Sequence, residues 1–273
     1  MSGIEQFSLQ KKVIVITGAT GVLGEAFSLS VAQAGAKVAI LGRNKQKAEE
    51  RVAAIKANGG EAIAILGDVL DEARMTAAKE EILQTWGTID GLVNAAGGNL
   101  PGAVIQPEQN LFDINLADTR QALDLNLFGT VIPTTVFGRV MADKGKGVIV
   151  NISSLSAKQA LTRVLGYTLA KTAIEGYTKW MASELGLRYN GRIRMNAIAP
   201  GVFITEQNTS LLLNPDGSYT NRAQKFINNT PYARFGNPEE LTGALIYLLS
   251  DASAFVNGET IMVDGGFNAF SGV

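Results

Sequence analysis

The sequence contains no cysteine and no histidine. Without cysteine there is no disulfide framework, no thiol nucleophile and no Cys/His zinc site. Without an imidazole a Ser-His-Asp triad cannot be assembled. General acid–base chemistry near neutral pH is left to carboxylates, lysine or tyrosine. An excess of charge is also lacking: 24 Lys and Arg stand against 25 Asp and Glu, for a formal net charge of -1. That balance, with no dense basic run, argues against nucleic acid as a partner. No apolar run reaches membrane-spanning length, and residues 1–12 are polar, without the apolar core of a signal peptide. The expectation is a cytoplasmic protein with no membrane partner, which the absence of cysteine fits.

What is present is a large apolar fraction. The 273 residues are 46% hydrophobic and 18% charged, enough for one sizeable core. Short β-branched runs alternate with longer stretches of helical spacing. Strands are expected over 13–16, 37–41, 62–66, 91–94, 147–152, 194–199 and 260–263. Helices are expected over 21–34, 44–57, 71–86, about 119–143, 164–187 and 238–250. This alternation predicts a single-domain α/β Rossmann fold, a doubly wound parallel sheet with helices on both faces in three layers. Residues 201–237 break the pattern. They read as a long, polar, irregular loop, with Asn214-Pro215-Asp216-Gly217 as a turn signal. The loop follows the sixth strand at its carboxyl end, where open α/β sheets bind ligands.

The first strand runs into Gly18-Ala19-Thr20-Gly21-Val22-Leu23-Gly24. Gly18 permits the turn, Gly21 lets backbone approach a pyrophosphate, and Gly24 lets helix and strand pack closely; the helix N-terminus favours the anion. Three glycines alone are a weak signal, but opening a βαβ unit they predict dinucleotide binding. Gly42, Arg43 and Asn44 end the second strand without a carboxylate for a ribose 2′-hydroxyl. Arg43 suits a 2′-phosphate, so NADP(H) is favoured over NAD(H). Asp68 and Val69 follow the third strand and suit the adenine; Asp68 reads equally as a helix cap. Asn94, Ala95, Ala96 and Gly97 end the fourth strand with room for a flat ring, or form a plain tight turn.

Tyr167 and Lys171 lie four residues apart in a helical stretch, so they share a face. A phenol with a pKa of about 10 is a poor base at neutral pH, and bringing it near 7 corresponds to about 4 kcal/mol. A neighbouring ammonium and a positively charged nicotinamide favour the phenolate. In a chain without histidine this pair is the best acid–base for carbonyl chemistry. Ser154, closing the fifth strand, can donate to a substrate oxygen.

The ordered set Thr17 to Gly24, Asn94 to Gly97, Asn126, Ser154, Tyr167, Lys171, Pro200-Gly201 and Val263-Asp264-Gly265-Gly266 resembles the short-chain dehydrogenase/reductase family over nearly the whole chain. The resemblance implies a seven-stranded parallel sheet, a Ser-Tyr-Lys-Asn catalytic set and a homotetramer. It implies that Tyr167 exchanges the proton, Lys171 lowers its pKa and holds the nicotinamide ribose, and Asn126 orders a water. It places Pro200, Gly201, Phe203 and Thr205 at the nicotinamide. One spacing departs from the pattern: the second glycine usually falls where Val22 stands.

Further segments, among them 94–99, 205–218 and 266–273, resemble the D-mannonate oxidoreductase (fructuronate reductase) subgroup. A sugar acid needs a cation and many hydrogen bonds. Lys158, Arg163, Arg222 and Lys225 are candidate cations, and Asn99, Gln159, Gln207 and Asn208 candidate hydrogen-bonding groups. Together they favour a small polar or acidic substrate. Three readings stay open beside the sugar acid: another short-chain reductase of gluconate 5-dehydrogenase or 3-oxoacyl type, an epimerase or dehydratase recycling its cofactor, and a catalytically silent dinucleotide-binding protein.

Overall fold

The computed structural model describes residues 3–206 and 208–272. Seven parallel strands form one sheet: β1 (Val13–Thr17), β2 (Lys37–Gly42), β3 (Glu61–Leu66), β4 (Gly91–Asn94), β5 (Gly147–Ile152), β6 (Ile193–Pro200) and β7 (Thr260–Val263). Their order is β3-β2-β1-β4-β5-β6-β7. Every residue of β1 and of β6 is buried, as strands covered on both faces require. The chain order reverses between β1 and β4, and a crevice opens at their carboxyl ends.

Helices α1 (Val22–Gln33), α2 (Lys45–Ala57), α3 (Glu72–Trp86), α4 (Leu116–Leu123), α5 (Gly129–Lys144), α6 (Leu165–Arg188), α7 (Thr209–Leu212), α8 (Asn221–Asn228) and α9 (Thr242–Leu249) complete the described elements of α-helix. Two apolar cores lie on opposite sides of the sheet. One joins Ile14, Ile16 and Val38 to Phe27 of α1 and Leu245 of α9. The other joins Val15 and Leu92 to Met75 of α3, Phe137 of α5 and Ala182 of α6. No helix of the described residues is long and apolar enough to cross a membrane.

Two expectations need correction. The single helix over 119–143 is broken into α4, a π turn over Asp124–Phe128, and α5. The Asn126 side chain donates to the carbonyl of Ala122 at 2.8 Å, four residues back, and so competes with the regular helical ladder. Residues 201–237 are not irregular throughout: they carry α7 and α8, which close a small core of Leu212, Ala223 and Phe235 with Phe226 and Ile227 packed against it. The apolar positions 223, 226 and 227 have the i, i+3, i+4 spacing of a short amphipathic helix.

Candidate active site

The turn after β1 is dictated by two close approaches. Gly18 has φ +65, and a Cβ there would meet the Ala95 carbonyl at 2.7 Å. A Cβ on Gly24 would sit 2.2 Å from the Gly18 oxygen. Only glycine lets β1, α1 and the end of β4 converge here. Gly21 caps α1 with no side-chain cap, so the first-turn N–H groups point outward to an anion.

A groove runs over this turn, lined by Gly18, Thr20 to Gly24, Gly42, Arg43, Asn44, Asp68, Val69, Ala95 to Gly97 and Thr205. A second cavity, lined by Ser154, Tyr167, Lys171, Pro200, Gly201, Phe203, Asn99, Asn208 and Arg222, adjoins it. Leu23, Ala95, Gly97 and Thr205 line both, so the two form a continuous cleft. Pro200, Gly201 and Phe203 therefore border the second cavity rather than the groove.

The catalytic candidates come together from three elements. Tyr167 and Lys171 stand on α6, with the Lys171 ammonium 5.5 Å from the Tyr167 ring centre. Ser154 follows β5 in extended conformation, and its hydroxyl accepts from the Ser156 N–H at 3.1 Å. It also hydrogen-bonds the Tyr167 phenol. Burial pushes the phenol's pKa above its ordinary value, and the Ser154 bond pulls the other way. The same burial lowers Lys171 to about 8, and its ammonium donates to the Ile152 carbonyl at 2.7 Å. The resting phenol carries its proton.

Asn126 is fully buried. Its amide accepts from Gly98 N–H at 2.8 Å and donates to Gly98 O at 2.9 Å. It holds the glycine turn beside Lys171; both side-chain N–H groups are in use, while its oxygen accepts a single bond and keeps a lone pair for the water of the expected relay. Asn94 is displaced from its expected role. Its side chain is buried under the sheet end and donates to Thr134 and Asn151, both at 2.9 Å.

Of the candidate substrate cations, only Arg222 lines the second cavity. Lys158 is paired with Glu175 at 2.5 Å, and Arg163 donates to Ile105 O and Gln106 Oε1. Neither lines the cavity, nor does Lys225. Arg222 donates to the hydroxyl and carbonyl of Thr162, each at 3.0 Å, and lies 5.3 Å from the Phe226 ring centre. Among the described residues it has no carboxylate within ion-pair distance. Burial and the charge of Arg163 lower its pKa. Asn208 lines the cavity, but its amide also braces the loop, accepting from Thr205 N and donating to Phe203 O. Gln159 bonds Asn268 at 3.3 Å and does not line the cavity, and Gln207 lies outside the described residues.

Arg43 lines the groove with a side chain 74% exposed, 3.6 Å from Asp68. Asp68 also accepts from the Leu70 N–H in a local turn, while the helix that follows is capped by Asp71, which accepts from the Arg74 N–H. Sequence reasoning missed Lys47 and Glu206, which line the groove and pair across it at 2.5 Å. Lys47 was findable, three residues after the helix cap Asn44; Glu206 enters only through the tertiary fold. Also missed was the apolar wall of Leu161, Leu211, Leu212 and Phe226. No group of three or more carboxylates suited to a metal ion occurs among the described residues.

The family model described as enoyl-(acyl carrier protein) reductase matches residues 18–268. An uncharacterized oxidoreductase of Bacillus subtilis (strain 168), UxuB, is 42% identical over 97% of this chain and 98% of its own. A Haemophilus influenzae protein provisionally named a D-mannonate oxidoreductase, crystallised with NAD, shares 40% identity and a TM-score of 0.88, covering 97% of this chain and 98% of that one. A gluconate 5-dehydrogenase from Burkholderia cenocepacia J2315, in complex with NADP and tartrate, shares 33% identity and a TM-score of 0.85, covering 97% and 98%.

Proposed function

This chain belongs to the short-chain dehydrogenase/reductase family of oxidoreductases, and we propose that it moves a hydride between a nicotinamide dinucleotide and the carbonyl or alcohol carbon of a sugar acid, with D-fructuronate and D-mannonate as the preferred pair. The observation that carries the substrate class is Arg222: a guanidinium in the wall of the Tyr167 cavity with no carboxylate of its own. A substrate carboxylate supplies that partner through charge-assisted bonds. A gluconate 5-dehydrogenase activity is the second reading, favoured by the likeness to the Burkholderia enzyme that holds the dicarboxylate tartrate.

The uncapped start of α1 and the cations Arg43 and Lys47 suit a dinucleotide, with the groove residues named above holding it. When bound, the nicotinamide gives or takes the hydride. Tyr167 delivers its phenolic proton to the carbonyl oxygen in reduction and takes it back in oxidation. The Ser154 hydroxyl donates to the same oxygen as charge develops on it. Lys171, as an ammonium, favours the phenolate that proton delivery leaves behind. The same reading carries a cytoplasmic homotetramer, whose size sedimentation measures.

A panel of keto acids followed through the absorbance of reduced nicotinamide, with both cofactors, tests the reading. Oxidation of the cofactor by D-fructuronate supports it. Product without net cofactor change points instead to an epimerase or dehydratase, and binding without turnover to a silent protein.

Cofactor choice follows from Arg43. Arg43→Ala should raise the KM for NADP about tenfold and leave that for NAD within about twofold, the scale of one charge-assisted contact. An equal effect on both would remove Arg43 from phosphate recognition.

The pH profile follows from Lys171. An amine carries charge below its pKa and loses it above, so kcat/KM for reduction should fall as pH rises through about 8. Lys171→Arg keeps the charge and should remove this limb, since a guanidinium does not titrate there. A limb unmoved by that substitution would assign it to another group.

A further inference from the structure

Glu175 is a carboxylate only 7% exposed, on α6, and the chemistry above does not use it. Its Oε1 accepts from the Ser153 hydroxyl at 3.1 Å. Its Oε2 pairs with the Lys158 ammonium at 2.5 Å. Ser153 and Lys158 bracket Ser154: one precedes it, and the other closes the 3-10 turn Leu155–Ala157 that it caps.

Positions 167, 171 and 175 recur every four residues and form one stripe of α6. Each holds the same short segment: Tyr167 at the Ser154 hydroxyl, Lys171 at the Ile152 carbonyl, Glu175 at Ser153 and Lys158. One helical turn on, Thr178 accepts from Asn151 at 2.9 Å. Burying a carboxylate is costly unless it is paired, and apolar side chains would pack α6 on the sheet without that cost. What two oxygens of one rigid group add is direction, because they fix both ends of the segment that carries Ser154.

We propose that Glu175 is a positioning residue: through Ser153 and Lys158 it holds Ser154 at its working distance from Tyr167. This rests on the reading of Ser154 and Tyr167 as catalytic.

The test is a double-mutant cycle in the reduction of D-fructuronate by NADPH, beside an ultraviolet titration of the Tyr167 phenolate, which needs no substrate. Glu175→Gln and Lys158→Met should each lower kcat about tenfold, the scale of a small misplacement of a catalytic group, with KM for NADPH within about twofold. Lys158→Arg, which retains the ion pair, should stay near wild type. In a Ser154→Ala background Glu175→Gln should add less than about twofold, because its route of action is gone. In the titration, Ser154→Ala and Glu175→Gln should both raise the Tyr167 midpoint, and the double variant no further than Ser154→Ala. Effects that multiply, or a midpoint moved by Ser154→Ala but not by Glu175→Gln, overturn the positioning role. Ser154→Ala leaving both turnover and midpoint unchanged overturns the catalytic reading beneath it.

Discussion

Tyr167→Phe is expected to lose about 10³-fold or more in kcat, within the range general acid–base catalysis contributes, while its affinity for the reduced dinucleotide stays within about twofold. The substitution keeps the ring that Lys171 faces and removes only the hydroxyl bonded to Ser154. Kinetics on the substrate, with fluorescence titration of the dinucleotide, measure the two quantities separately. The experiment discriminates because Lys171, at about 8, is itself an acid of suitable strength in the same cavity. If Lys171 delivered the proton, Tyr167→Phe would retain most of its turnover. One feature weighs against that route: the ammonium already donates to the Ile152 carbonyl.

Arg222→Met should lower kcat/KM for carboxylate substrates by about 10²-fold, corresponding to the upper part of the range for hydrogen bonds to charged groups. The same variant should change kcat/KM for a neutral polyol or its ketone by less than about threefold. Methionine keeps an unbranched apolar side chain beside Phe226 while removing the guanidinium that faces its ring and holds Thr162. A parallel fall for neutral substrates would mean that Arg222 shapes the cavity wall and does not select the acid. Circular dichroism of the variant, with α8 intact, separates either result from local unfolding.

The sheet was legible because its signal is local and repeated. Apolar runs such as 13–16 and 148–150 are satisfied by burial on both faces, and the boundaries moved by a residue or two at most sites. The break at Asn126 was not legible, since it depends on a side chain reaching back to Ala122 and across to Gly98. Helix α8 was masked by polar neighbours that face outward from a small core.

At the site, Tyr167 and Lys171 were readable from spacing within one helix. Ser154 came from its place at a strand end, and its hydrogen bond to Tyr167 is a tertiary fact. The candidate cations show where composition stops being informative. Lys158, Arg163 and Arg222 look alike in sequence, yet only Arg222 faces the cavity without an acidic partner. Asn94 fails for a related reason: it ends its strand with the side chain turned toward Thr134 and Asn151, beneath the sheet and away from the groove. Burial that raises the Tyr167 pKa is likewise a property of the folded site, with no signature in the spacing of Tyr167 and Lys171.

The most direct measurement uses NADPH carrying deuterium at the transferable position of its nicotinamide, with D-fructuronate as acceptor and mass spectrometry of the product. One deuterium per molecule is expected on the former carbonyl carbon, formed one for one with oxidised cofactor. Unlabelled product, or cofactor oxidation with no labelled alcohol, would contradict this hydride transfer.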